Sequence, residues 1–145
     1  MAFAGFNYIA VLVAAIAGWL TGALWYGVLG KSWVAAQGRT MEEFKAQQAA
    51  GIGKLSAQLP FLLALVAAIV MSWVLAGMIG HLGSGQVTLK NGVISAGFVW
   101  LGFVATTITV GNAFSGHKFM LTVIDSGHWL AVLVVMGAII GAWGV

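Results

Sequence analysis

The chain has 145 residues, of which 61% are hydrophobic and only 6% charged, with a net charge of +3 and no cysteine. A soluble domain carries about 25% charged residues, so this composition excludes a water-soluble globule able to cover its own surface. Six basic residues are too few for a nucleic-acid face, and the missing cysteines exclude disulfides, thiolate nucleophiles, thiolate metal sites and thiol-linked lipids.

Four stretches lack Asp, Glu, Lys and Arg altogether: Met1–Gly30, Leu55–Gly80, Asn91–Gly116 and Ser126–Val145. A bilayer core is crossed by about 20 apolar residues rising about 1.5 Å each, so every stretch is long enough. The expected fold is all-α, a single transmembrane domain over residues 1–145. Its helices are expected at about 7–29, 59–80, 92–114 and 125–143, with a surface segment at 40–58.

The first span opens near Asn7 and runs to Leu29. Ala15-Ile16-Ala17 has the small-x-small look of a signal-cleavage site, but no basic residue precedes it and the apolar run continues beyond it. The segment reads as a retained helix. In the long connection that follows, Thr40 and Glu43 match a capping box, and Phe44, Gln48, Ile52, Leu55 and Leu59 recur at helical spacing. That pattern predicts a short amphipathic helix on the membrane surface, joined loosely to the second span through Gly51 and Gly53. Pro60 is expected in the first turn of the second span, where its missing N–H is tolerated. Gly83-Ser84-Gly85-Gln86 is a polar turn.

Five basic residues, Lys31, Arg39, Lys45, Lys54 and Lys118, fall in the connections after the first and third spans, and Lys90 stands alone on the other side. The positive-inside rule places the five-residue side in the cytoplasm and both termini outside it. Trp25, Tyr26, Trp33 and Trp129 then lie at the inner interface and Trp143 at the outer one.

Small residues recur every fourth position: Ala10, Ala14, Gly18 and Gly22 in the first span, and Ala64, Ala68, Ser72, Ala76 and Gly80 in the second. Gly137 and Gly141 extend the theme to the fourth. Such faces let membrane helices approach closely, either within the chain or against other chains. A second pattern is polar. Thr106, Thr107, Thr109 and Asn112 occupy the inner half of the third span, with Tyr26, His117, Asp125 and His128 at the same depth. The threonines are expected to bond carbonyls one turn back. Tyr26, Asn112, Asp125 and His128 form a candidate cytoplasmic polar cluster. Asp125 and His128 share a helical face, and such a pair suits a proton relay, a cation or a polar ligand. The structural alternative is that Asp125 caps the fourth span, in a box with Thr122. His81 reads as an interfacial histidine. No metal site or cofactor is expected, and no phosphate loop, His-Glu-x-x-His or Gly-x-Ser-x-Gly motif occurs. No charged residue is expected deep in a span, which argues against an ion-coupled transporter.

Gly22-x-x-Trp25-x-Gly27 recurs as Gly97-x-x-Trp100-x-Gly102, a pattern open to either internal duplication or coincidence. The runs Gly22-Ala23-Leu24-Trp25-Tyr26-Gly27, Trp100-Leu101-Gly102-Phe103-Val104-Ala105-Thr106 and Ile124-Asp125-Ser126-Gly127-His128 carry a family resemblance. Over essentially its full length the chain resembles the bacterial membrane proteins grouped as domain of unknown function 1761. The resemblance implies the four-helix fold and a bacterial inner membrane, and it supplies no catalytic residue. Where the family places a proline after the central run, this chain has Thr106-Thr107, so a proline kink is not expected.

Three functions follow as expectations. The first is a non-enzymatic packing or accessory component of a homo- or hetero-oligomeric assembly, with the lipid bilayer and other membrane chains as partners. The alternative is an oligomeric channel or facilitator for a small solute or ion, lined by Thr106, Thr109 and Asn112. A membrane enzyme using Asp125 and His128 is the third.

Overall fold

Each of the four charge-poor stretches becomes a long helix. The computed structural model describes residues 2–145. It comprises α1 (Tyr8–Ala36), α2 (Met41–Gly51), α3 (Leu55–Gly80), α4 (Leu89–Val99), a π-helical segment (Trp100–Ala105), α5 (Thr106–Phe114) and α6 (Phe119–Trp143). The run from α4 through the π segment to α5 is one continuous span, Leu89–Phe114, and four helices are long and apolar enough to cross a membrane. The chain is therefore an all-α, multi-pass membrane protein.

Local chemistry sets several helix starts. Asn7 Oδ1 accepts from the Ala10 amide at 3.1 Å and Thr88 Oγ1 from Asn91 at 3.2 Å, each satisfying an orphan donor of a first turn. At α2 the capping box is complete: Thr40 Oγ1 accepts from the Glu43 amide at 3.2 Å and Glu43 Oε2 from the Thr40 amide at 2.9 Å. Gly38 and Gly53 bracket this helix at φ +75° and +77°, a conformation that L side chains rarely adopt. The surface segment is thus shorter than its spacing suggested, because the helix breaks between Gly51 and Leu55 and Ile52 lies outside it.

The spans outrun the charge-free stretches. With 29 residues α1 is about 42 Å long, against about 30 Å of hydrocarbon, so it carries Lys31 and Trp33 before ending at Ala36. α6 begins at Phe119, well before Asp125, and α3 begins at Leu55, so Pro60 falls inside α3, past its first turn. There it leaves one carbonyl of the preceding turn without an amide partner.

α6 is the centre of the bundle. α1 and α4 pack along two of its sides, and α3 packs on α1. Neighbouring spans run antiparallel, as their contacts show: Gly18 lies on Val132 and Met136, Gly22 on His128, and Gly92 on Gly137, with Gly141 against Thr88. The core between them holds Val11, Ala14, Ala15, Leu75, Ile79, Val132, Leu133 and Met136. Of the expected packing positions, Ala14, Gly18, Gly22, Ala68, Ser72, Ala76, Gly137 and Gly141 are all buried, as is Ala10. Ala64 is exposed and takes no part. Ser72, wholly buried, donates Oγ to the Val11 carbonyl at 2.8 Å, tying α3 to α1.

The π segment has a geometric cause. Gly92, Ala96, Trp100, Val104, Ile108 and Asn112 are the partly or fully buried line of this span, spaced every four residues. In a straight α-helix four residues overshoot one turn by about 40°, so the line would rotate away from α6. A turn with i→i+5 bonding is wider and holds the line in place.

Candidate functional site

The α1–α6 crossing places Tyr26, Trp33 and Asp125 together at the end of the bundle that carries the five basic residues. Asp125 lies nearly two turns inside α6, so it is not a helix cap: α6 starts after Lys118 with no side-chain capping bond. Thr122 is likewise interior, and the expected Thr122–Asp125 box does not form. The Asp125 carboxylate instead accepts from the other side of the crossing. Tyr26 Oη donates to Oδ1 at 2.7 Å and Trp33 Nε1 donates to the same oxygen at 3.0 Å. Both donors are neutral, and among the described residues no side chain donates to Oδ2.

Spacing on α1 explains the convergence. Tyr26 and Trp33 are two turns apart and so share a face. Their rings meet edge to face at 5.2 Å, enclosing one side of the carboxylate. Trp33 in turn meets Phe44 of α2 at 6.1 Å, nearly perpendicular, and the Arg39 guanidinium lies 5.6 Å over Phe44. The surface helix is therefore seated on the site through one aromatic pair.

His128 occupies the next turn of α6, buried at 7% exposure. Its ring sits on Gly22, where an added methyl would come within 2.7 Å of Nε2, and between Tyr26 and Trp129 at ring distances of 4.8 and 4.6 Å. Its Nδ1 is enclosed and has no hydrogen-bond partner. Among the described residues no three carboxylates or imidazoles group closely enough to hold a metal ion.

Asn112 is set apart. Its Nδ2 donates to Thr122 Oγ1 at 3.0 Å, which fixes α5 to α6 one turn below Asp125. Thr106 and Thr109 donate to the Gly102 and Ala105 carbonyls at 2.9 and 2.6 Å, and Thr107 bonds the Phe103 carbonyl. All three threonines are exposed on the perimeter and, within one chain, line no shared path with Asn112. His81 is exposed, with Nδ1 2.7 Å from the Gly77 carbonyl.

Three tryptophan donors were not legible in the sequence. Trp33 stood there only as an interfacial aromatic, although its position seven residues after Tyr26 was the available signal. The other two are the tryptophans of the repeated motif. Trp25 Nε1 donates to the Ile124 carbonyl at 3.1 Å and Trp100 Nε1 to the Ser126 carbonyl at 2.7 Å. The two indoles thus grip α6 on either side of Asp125.

Comparison with known proteins adds the family. No curated protein and no solved structure matches the chain. The family model described as protein of unknown function (DUF1761) matches residues 9–141, from the first turn of α1 to the last of α6. This chain belongs to the DUF1761 family.

Proposed function

We propose that this protein is a non-enzymatic accessory component of a membrane assembly, associating with other chains through the outer face of its third span. One observation carries this reading. Gly97, Gly102 and Gly111 lie inside that span, and nothing stands within 4 Å of where a Cβ would be. A helical glycine costs about 1 kcal/mol relative to alanine, and close approach by a neighbour is what offsets it. Gly18, Gly22, Gly92, Gly137 and Gly141 have such neighbours inside the chain. The third span is also the least covered, with 6% of its apolar window buried against 44% in the fourth. Its exposed Gly102, Thr106 and Thr109 follow one another at helical spacing, a small-residue face of the kind that packs helices in lipid.

On this reading the protein resides in a bacterial inner membrane, with the basic end in the cytoplasm and both termini outside it. Purification in mild detergent, with identification of what travels with the chain, tests it. A stoichiometric companion, either a second protein or further copies, that is lost in Gly102→Leu is the expected result. A monomer with no companion in the native extract overturns it. Copies that conduct a solute in liposomes move the assignment to the permeation alternative.

A further inference from the structure

Among the described residues of the spans, His128 alone combines a titratable side chain, burial and an unpartnered polar atom. The groups around it are few. On α6 Asp125 stands one turn back, near enough for its charge to act on the ring, and from α1 the ring meets Tyr26 and Gly22. α3 contains no titratable residue, and the third span contains only Lys90, at the opposite end of the bundle. Lys31 is exposed on the far face of α1 from Gly22, and Lys118 Nζ is committed to the Ala35 carbonyl at 3.3 Å. The charged residues of α2, Glu42, Glu43 and Lys45, are exposed.

We propose that Asp125 and His128 form a proton-binding site that controls how firmly α2 is seated on the bundle. The bound species is a proton from water at the basic end. It adds to the free lone pair of the imidazole, and no other covalent bond forms or breaks in the protein. The resulting imidazolium has an enclosed N–H at Nδ1 with no acceptor in place, an arrangement that burial penalises. The nearest anion is Asp125, whose Oδ2 has no donor. Turning that carboxylate toward His128 withdraws Oδ1 from Tyr26 and Trp33, which both depend on it. Trp33 is also the aromatic contact of Phe44, so its release loosens α2. The chain of contacts from His128 through Asp125 and Trp33 to Phe44 is continuous, and it is independent of the association face on the third span.

The test uses the full chain in lipid nanodiscs, carrying His81→Gln and His117→Gln so that His128 is the single imidazole. Nitrogen-15 spectra are recorded across roughly pH 8 to 5, the range in which imidazoles change charge. The expected result is one change of charge state at His128, with the Trp33 indole N–H, assigned through Trp33→Phe, shifting at the same midpoint while Trp143 stays still. Asp125→Asn and His128→Gln should each abolish the Trp33 shift, by removing the anion or the titrating ring. An unchanging His128, a Trp33 that does not follow it, or a Trp33 shift that persists in His128→Gln overturns the proposal. Oligomeric size read on the same samples keeps this outcome separate from that of the association reading.

Discussion

The Tyr26 hydroxyl reaches across the bundle to Asp125 Oδ1 at 2.7 Å, so the one carboxylate of the transmembrane spans is held by α1 and not by its own helix. A hydrogen bond to a charged group contributes more than one between neutral groups. This bond makes the α1–α6 crossing specific in register as well as tight.

Tyr26→Phe should therefore lower stability by about 1–2 kcal/mol, measured by unfolding in mixed micelles. In the Asp125→Asn background the same change should cost clearly less, because the acceptor is then neutral. Equal costs in both backgrounds would show that the pair is not coupled.

The glycine contacts separate into two classes with opposite expected behaviour. Gly137→Ala places a methyl on the Gly92 carbonyl, and overpacking of this kind costs about 1–3 kcal/mol. Gly97→Ala meets open space and should raise the stability of the isolated chain by up to about 1 kcal/mol through helix propensity. Unfolding curves of the two variants read both signs.

Ser72 distinguishes bonding from size. Ser72→Ala removes only the bond to the Val11 carbonyl and should cost about 0.6 kcal/mol, the average for interhelical bonds in membranes. Ser72→Leu must force α3 away from α1 and should cost several times more. Similar stabilities for the two would place Ser72 outside the helix contact.

The start of α2 should depend on acid. Its bonds with the Thr40 backbone and side chain hold the Glu43 carboxyl below the usual carboxylate range. Because the folded value is the lower one, the cap's contribution is complete above the unfolded carboxylate range. It is lost as pH falls through the folded value. Glu43→Gln keeps a capping side chain without a charge, so the acid-induced fraying of α2, followed by amide exchange at Thr40, should disappear in that variant.

Much of this architecture was readable in the sequence because the bilayer imposes one strong rule on side chains. The spans, the Thr40–Glu43 box, the back-bonded threonines and the Gly18 and Ser72 contacts all follow from hydropathy, capping chemistry and small-residue spacing. The helix ends do not. Charge-free length measures the membrane and not the helix, whose backbone bonds continue through Lys31 to Ala36 and start again at Phe119, ahead of Asp125. That error left a cap open as the alternative for Asp125, and it hid Trp33, which joins Tyr26 as the second donor from α1. The π segment left no proline to read, and its Gly102 is one of several glycines in the spans. It arises from a four-residue contact line that only the packing against α6 reveals. Gly92, opposite Gly137, was likewise visible only once α4 and α6 were side by side.

The most direct test of the account is a photoreactive residue placed at position 102 in native membranes, with the same residue at position 24 as a control. Gly102 faces outward with nothing near it, and Leu24 is 69% exposed on α1. Protein adducts at position 102, with lipid alone captured at position 24, are the predicted result. Lipid alone at position 102 would contradict the account.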